Sequence, residues 1–117
     1  MSVTAYQKAQ HANESLRTTE YRLFAQVTGA LMEVEKAGRY DAVRLIDVLD
    51  WNRRVWSALA SDCASEGNSL PDSVRAGIIS LAIWVSRYSS SVVQEGESLE
   101  PLIDVNKDIM AGLAGRS

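Results

Sequence analysis

Apolar residues recur at every third or fourth position along almost the whole chain, and this spacing limits the fold more than any other feature. It places the apolar side chains on one side of an α-helix, whereas a half-buried β-strand needs them at every second position. No segment alternates for long at a period of two, and no Asn-Gly or Asp-Gly pair marks a hairpin turn. The pattern therefore predicts an all-α protein.

Three short breaks, each containing a glycine, divide the helical pattern. They read AGR at 37–39, EGNSLPD at 66–72 and QEGES at 94–98. The predicted helices cover residues 2–12, 19–37, 41–65, 72–93 and 98–113. Short connections favour antiparallel neighbours. We therefore expect one domain over 1–117, a small helical bundle of four main helices plus a short N-terminal helix, with 1–15 as a candidate mobile N-terminal segment.

Composition and charge narrow the class of protein. The chain has 117 residues, 46% of them hydrophobic, which is enough for one packed core. A net charge of −3 argues against direct nucleic-acid binding, which depends on neutralising phosphates. The single cysteine, Cys63, lies in an amphipathic stretch and is expected to be a small buried apolar residue. The N-terminus has no apolar signal core, and the longest apolar run, 77–85, is short for a bilayer. We expect a cytoplasmic protein with no membrane insertion.

No set of residues has the pattern of a catalytic or metal site. His11 is the only histidine, and no Cys/His cluster or phosphate-binding loop is present. The aspartates of the third and fifth predicted helices are spaced like solvated charges. The sequence therefore predicts a protein that is not an enzyme and that needs no cofactor or metal.

Two asparagines lie where the helical pattern predicts buried positions. Asn52 shares a stripe with Leu45, Leu49 and Trp56, and Asn106 lies beside the stripe of the last helix. An unpaired buried amide costs about 1–3 kcal/mol. We expect both amides to bond to backbone at the ends of neighbouring helices and to fix helix register. The alternative is that one of them meets a partner's backbone at a groove.

The three tryptophans differ in position. Trp56 lies on the apolar stripe and is expected in the core, whereas Trp51 and Trp84 lie off the stripes. An off-stripe tryptophan packs at the edge of the bundle or anchors an interface. The helix predicted over 72–93 is apolar over a wide arc. We expect it to be the central helix of the bundle, and the alternative is that it exposes an apolar groove.

Arg75 falls in the first turn of that helix, where a positive charge opposes the helix dipole. We expect its charge to be offset by Asp72, by Glu66 or by the carbonyls that end the preceding helix. The alternative is contact with an acidic or carbonyl-rich partner.

Five segments spread over residues 5–113 carry a resemblance to known proteins. They read AYQKAQ, RTTEYRLFAQVTGAL, NRRVW, GNSLPDSVRAGIISLAIWV and PLIDVNKDIMAGL. Together they resemble the FlaF family of flagellar biosynthesis regulators. The motif positions carried over from the family are Asn52, Arg53, Trp56, Asn68, Leu70, Pro71, Arg75, Trp84, Asn106 and Gly112. The residues expected to contact a partner are Trp51, Arg53, Trp56, Asn68, Leu70, Arg75 and Trp84.

The resemblance implies a cytoplasmic bacterial protein required for flagellin production or export. Combined with a wide apolar face, it favours a flagellin-binding secretion chaperone that masks the amphipathic helices of unassembled flagellin. The alternative is a post-transcriptional regulator of flagellin synthesis that acts with FlbT on flagellin mRNA. A third reading is a scaffold whose apolar face forms a homodimer. Flagellin is therefore the expected partner, with FlbT as a second one and the oligomeric state undecided.

Overall fold

Four helices form the protein in a computed structural model, which describes the backbone of residues 3–38 and 41–114 and the side chains of these residues other than 5–17. The helices are α1 (Val3–Ala37), α2 (Ala42–Ala64), α3 (Asp72–Glu95) and α4 (Glu100–Leu113). The described residues contain no strand, so the all-α prediction is confirmed.

The first helix differs from the prediction. The backbone runs as one helix from Val3 to Ala37, across the ranges predicted for a short N-terminal helix and a separate second helix. A separate N-terminal helix is therefore not shown. The predicted mobility of 1–15 falls mostly on residues whose side chains lie outside the described set, as does His11, and it stays a prediction.

The helix ends follow the signals in the sequence. The predicted helix 41–65 starts at Asp41, whose side chain accepts the N–H of Val43 at 2.9 Å and caps α2. Gly96 ends α3 in the left-handed conformation at φ 71°, which glycine adopts without the steric cost that a Cβ would bring. The connections that precede α2 and α3 reverse the chain, so α2 lies against α1, and α3 lies against α2.

The core lies mainly between α1, α2 and α4. Helix α1 packs on both α2 and α4, and α3 packs chiefly on α2, while α3 and α4 touch each other little. Trp56 is 1% exposed and meets Phe24 edge to face, with ring centroids 5.3 Å apart. This confirms Trp56 as a core residue. Leu45 and Leu49, which share the predicted stripe of α2 with Trp56, are buried as well.

Helix α3 is not the central helix, which corrects the expectation drawn from its wide apolar arc. Only Val85, Ser89 and Val92 of its residues are buried. The physical reason is its position: α2 covers one side of α3, and neither α1 nor α4 covers the other sides. Apolar residues such as Val74 and Ile83 therefore stay exposed.

Among the described residues, α3 is also the one helix long and apolar enough to cross a membrane by length and composition alone, with a mean hydropathy of 1.2 over the best window. A single such helix is weak evidence, because helices of soluble proteins pass the same test. Here α3 carries Arg75 and Arg87 and packs along α2.

Candidate functional site

Four buried polar side chains join three helices at the middle of the bundle. The Nδ2 of Asn106 in α4 donates to the Oγ1 of Thr28 in α1 at 3.1 Å and to the Oδ1 of Asn52 in α2 at 2.8 Å. The Oδ1 of Asn106 accepts the indole N–H of Trp56 at 2.7 Å. Asn106 therefore satisfies groups on both neighbouring helices, and only one register of α4 allows all three bonds.

Both asparagines are buried as the pattern predicted, but their partners differ from the prediction. They bond to side chains of other helices and to each other, not to backbone at helix ends. Since both are 0% exposed, neither can meet a partner's backbone at a groove. The Nδ2 of Asn52 has no hydrogen-bond partner among the described residues. Asn52 therefore takes part in the network through its Oδ1 alone.

The two motif arginines tie α3 to α2. Arg53 donates through Nη2 to the carbonyl of Ser86 at 3.2 Å and to the Oγ of Ser90 at 2.9 Å. Arg75 donates through Nε to the carbonyl of Cys63 at 2.6 Å, and its Nη1 lies 3.4 Å from Asp72. The predicted offsets for Arg75, an aspartate and the carbonyls that end α2, are therefore both found.

Asn68 closes the connection between α2 and α3. Its Nδ2 donates to the carbonyl of Asp62 at 3.0 Å, and its Oδ1 accepts the N–H of Leu70 at 3.0 Å. The side chain thus satisfies one of the carbonyls left open at the end of α2. Pro71 follows as the residue that precedes the first turn of α3.

At the other end of the bundle, Glu35 of α1 holds the start of α4. Its carboxylate accepts the hydroxyl of Ser98 at 2.7 Å and the N–H of Leu99 at 3.1 Å. Tyr88 of α3 donates to the carbonyl of Ser98 at 2.7 Å. Burial raises the pKa of the Tyr88 hydroxyl, with Glu97 and Glu35 adding to the shift, so it stays a donor. We call this the capped end.

The outward side of α3 carries no charge from Ala76 to Trp84. We define the outer face as Ala76, Gly77, Ser80, Ile83 and Trp84, all exposed and all within two turns on one side of the helix. No charged residue occurs between Arg75 and Arg87. The Trp84 ring is 38% exposed and stacks on Tyr88 at a centroid distance of 5.1 Å.

The three tryptophans thus have three environments. Trp56 is sealed in the core and offers no surface to a partner, which corrects its inclusion among the contact residues. Trp51 is half-buried and borders a small hollow between α1 and α2, beside Ala30 and Val34. Trp84 is the one with a broad exposed ring.

A cleft of about 480 Å³ lies at the end of the bundle opposite the capped end. Its apolar lining comes from three helices and the α2–α3 connection: Leu59, Leu70, Val74, Ile78, Ile109 and Leu113. The buried thiol of Cys63 also contributes, and its pKa is raised by burial and by the carboxylates of Glu20 and Asp62. The thiol is therefore protonated at neutral pH and unreactive.

The mouth of this cleft is acidic. Asp62, Glu66 and Asp108 are exposed and line it, and Glu20 contributes a further carboxylate. No lysine or arginine is among the described residues of the lining. None of the first three carboxylates forms an ion pair with the described residues. Negative charge thus surrounds an apolar interior.

The family model of the flagellar protein FlaF matches residues 2–113, nearly the whole chain. The chain belongs to the FlaF family. It is accordingly a flagellum-related bacterial protein. Neither the comparison with curated proteins nor that with solved structures gives a match.

The fold separates the FlaF motif residues into groups. Asn52, Trp56 and Asn106 build the interior, while Arg53, Asn68 and Arg75 join α2 to α3. Asn68, Leu70 and Gly112 are the motif positions that line the cleft. Sequence reasoning missed Thr28 and Glu35: Thr28 directly follows the core residue Val27, but nothing in the spacing marks the contact of Glu35 with Ser98, 63 positions away.

Among the described residues, no group of three or more potential ligands could hold a metal ion. The prediction of a non-enzymatic protein without cofactor stays a prediction.

Proposed function

We propose that this FlaF protein regulates flagellar biosynthesis by binding unassembled flagellin in the cytoplasm, where it masks amphipathic helices of flagellin until export. The observation that carries the proposal is the outer face of α3, which is apolar, uncharged and outside the protein's own core. Exposed apolar surface of this kind costs solubility, and it is typical of sites that bind another chain.

The shape of the partner follows from the shape of the surface. The outer face is a strip on one straight helix, and the natural complement of such a strip is the apolar side of a second helix. Trp84 supplies a large, rigid ring that is already held by stacking on Tyr88. A side chain held in this way loses little conformational freedom on binding, which favours affinity.

The proposal is tested by titrating purified monomeric flagellin into the protein in a calorimeter. We expect a dissociation constant of tens of micromolar or tighter, and about tenfold weaker binding for Ile83→Asp, because the variant places a charge in the apolar strip. Ile46→Asp is the matched control: Ile46 and Ile83 are both 51% exposed, but Ile46 lies on α2. Equal binding by the two variants, or no binding by the unmodified protein, would count against the proposal.

The alternative of action on flagellin mRNA with FlbT has a distinct signature. Direct contact with RNA would give retardation that weakens as salt rises. RNA retardation without flagellin binding would replace the proposal by this alternative.

A further inference from the structure

We infer that the acidic cleft at the end of the bundle is a docking site for a partner helix that carries lysine or arginine on both sides of its apolar stripe. The inference rests on the proposed function and deepens it, since it assigns a second surface and a charge to the partner helix.

The first argument is the gap between α3 and α4. The two helices are joined at the capped end, where Tyr88 bonds to Ser98. Away from that end they share few contacts, and the cleft lies between Ile78 of α3 and Ile109 of α4. A four-helix arrangement with one open side has the form of a groove for a further helix.

The second argument is that the interior of the cleft is apolar and only partly covered. Ile78, Ile109 and Leu113 are each half-buried, whereas Leu59 beneath them is 4% exposed. Burying the remaining apolar area would contribute free energy in proportion to that area. Anchors spaced i, i+3 or i+4 and i+7 on a partner helix match such a groove.

The third argument is charge, and it decides which helix fits. Asp62, Glu66 and Asp108 stand at the mouth, and none of the described residues that line the cleft is a lysine or an arginine. An acidic partner helix would be repelled, whereas a basic one would gain ion pairs and faster association. The same argument disfavours a second copy of this chain, whose net charge is −3.

A substitution at Gly112 gives the most direct test of binding in the cleft. It lines the cleft, and a Cβ added there meets no atom within 4 Å. Gly112→Phe should therefore fold and place a ring in the groove, while Gly112→Ala adds one methyl group and improves helix propensity. Gly29→Phe is the control for a bulky ring elsewhere, because Gly29 is exposed on α1, lies outside the cleft and also has open space around its Cβ position.

The test uses two synthetic amphipathic peptides with the same leucine stripe, flanked by lysine in one and by glutamate in the other. We expect the full-length protein to bind the lysine peptide at least about tenfold more tightly, with affinity falling as salt rises. Gly112→Phe should weaken binding about tenfold or more, and Gly112→Ala and Gly29→Phe should not. Asp108→Lys should weaken it, and Glu97→Lys, which makes the same charge change at the capped end, should not.

The outcomes separate the two proposals. If the protein binds flagellin but Gly112→Phe and Asp108→Lys bind flagellin and the lysine peptide normally, the cleft is not the site and the chaperone proposal stands. If the lysine peptide binds in the cleft but flagellin does not bind, the partner is another basic helix and the chaperone proposal fails. If sedimentation shows that the protein is a dimer and that Gly112→Phe makes it monomeric, a second copy fills the cleft. That result would overturn the inference.

Discussion

The two ends of the bundle differ in how completely their polar groups are hydrogen-bonded and their apolar groups are buried. At the capped end, Glu35, Tyr88 and Ser98 satisfy one another across three elements, and Leu99 beside them is fully buried. At the cleft end, Asn68 and Arg75 satisfy the end of α2 from outside, and the apolar residues of the cleft are left half-covered. The capped end thus holds the helices together, whereas the cleft end keeps apolar surface accessible. Between the two ends lies the asparagine network, formed by Asn52, Asn106, Thr28 and Trp56.

The largest effect should come from the network itself. Asn106→Leu leaves the indole N–H of Trp56, the amide oxygen of Asn52 and the hydroxyl of Thr28 without their partner. We expect a loss of about 3 kcal/mol in the free energy of unfolding, measured by urea denaturation followed by circular dichroism.

Asn52→Leu is the matched comparison, because it removes a donor that is already unpaired and leaves Asn106 bonded to Thr28. We expect a cost of about 1 kcal/mol or less. Equal losses in the two variants would show that Asn106 is not the centre of the network.

The capped end should respond next. Glu35→Ala removes the acceptor for the N–H of Leu99 and for the hydroxyl of Ser98, and we expect a loss of about 1–2 kcal/mol, as for a helix cap. Glu33→Ala is the control: among the described residues Glu33 pairs with Arg44 alone, at 3.6 Å and on the surface, so its loss should cost about 0.5 kcal/mol or less. Thermal denaturation of both variants makes the comparison, and a Glu35 variant as stable as the control would contradict it.

The hydrogen bonds of Asn68 at the cleft end should contribute less to the free energy of unfolding. Asn68→Ala removes two bonds to backbone in a partly solvated turn, and we expect a loss of about 1 kcal/mol. Ser69→Ala, at the exposed neighbouring position, should have no measurable effect. Urea denaturation measures the free energy of unfolding of both variants. If Asn68→Ala loses more than Glu35→Ala, the cleft end contributes more to stability than the capped end, contrary to this prediction.

The outer face should contribute no more to stability than the cleft end does. Trp84 is 38% exposed, so Trp84→Ala should cost about 1 kcal/mol and lower the melting temperature by about 4 °C. A buried tryptophan would cost about 3–5 kcal/mol. A fall of that larger size would place Trp84 among the structural residues and weaken its role as an anchor.

Much of the fold could be predicted from the sequence, because helical periodicity and helix caps are local signals. The stripe of α2, its start near residue 41 and the buried positions of Asn52 and Asn106 all follow from the sequence pattern. The position of α3 could not be predicted, since a wide apolar arc is typical both of a central helix and of a helix that exposes a surface. The cleft could not be predicted either: Asp62 and Asp108 come together only through the packing of α1 against α2 and α4.

Helix α3 is fastened along one flank by Arg53 and Arg75 and scarcely at all along the flank that faces α4. A fifth helix entering from that flank would displace few existing interactions, so little of its binding free energy would be spent on breaking contacts within the protein. A partner helix can thus bind at the flank of α3 that faces α4 and dissociate again while the core formed by α1, α2 and α4 remains assembled.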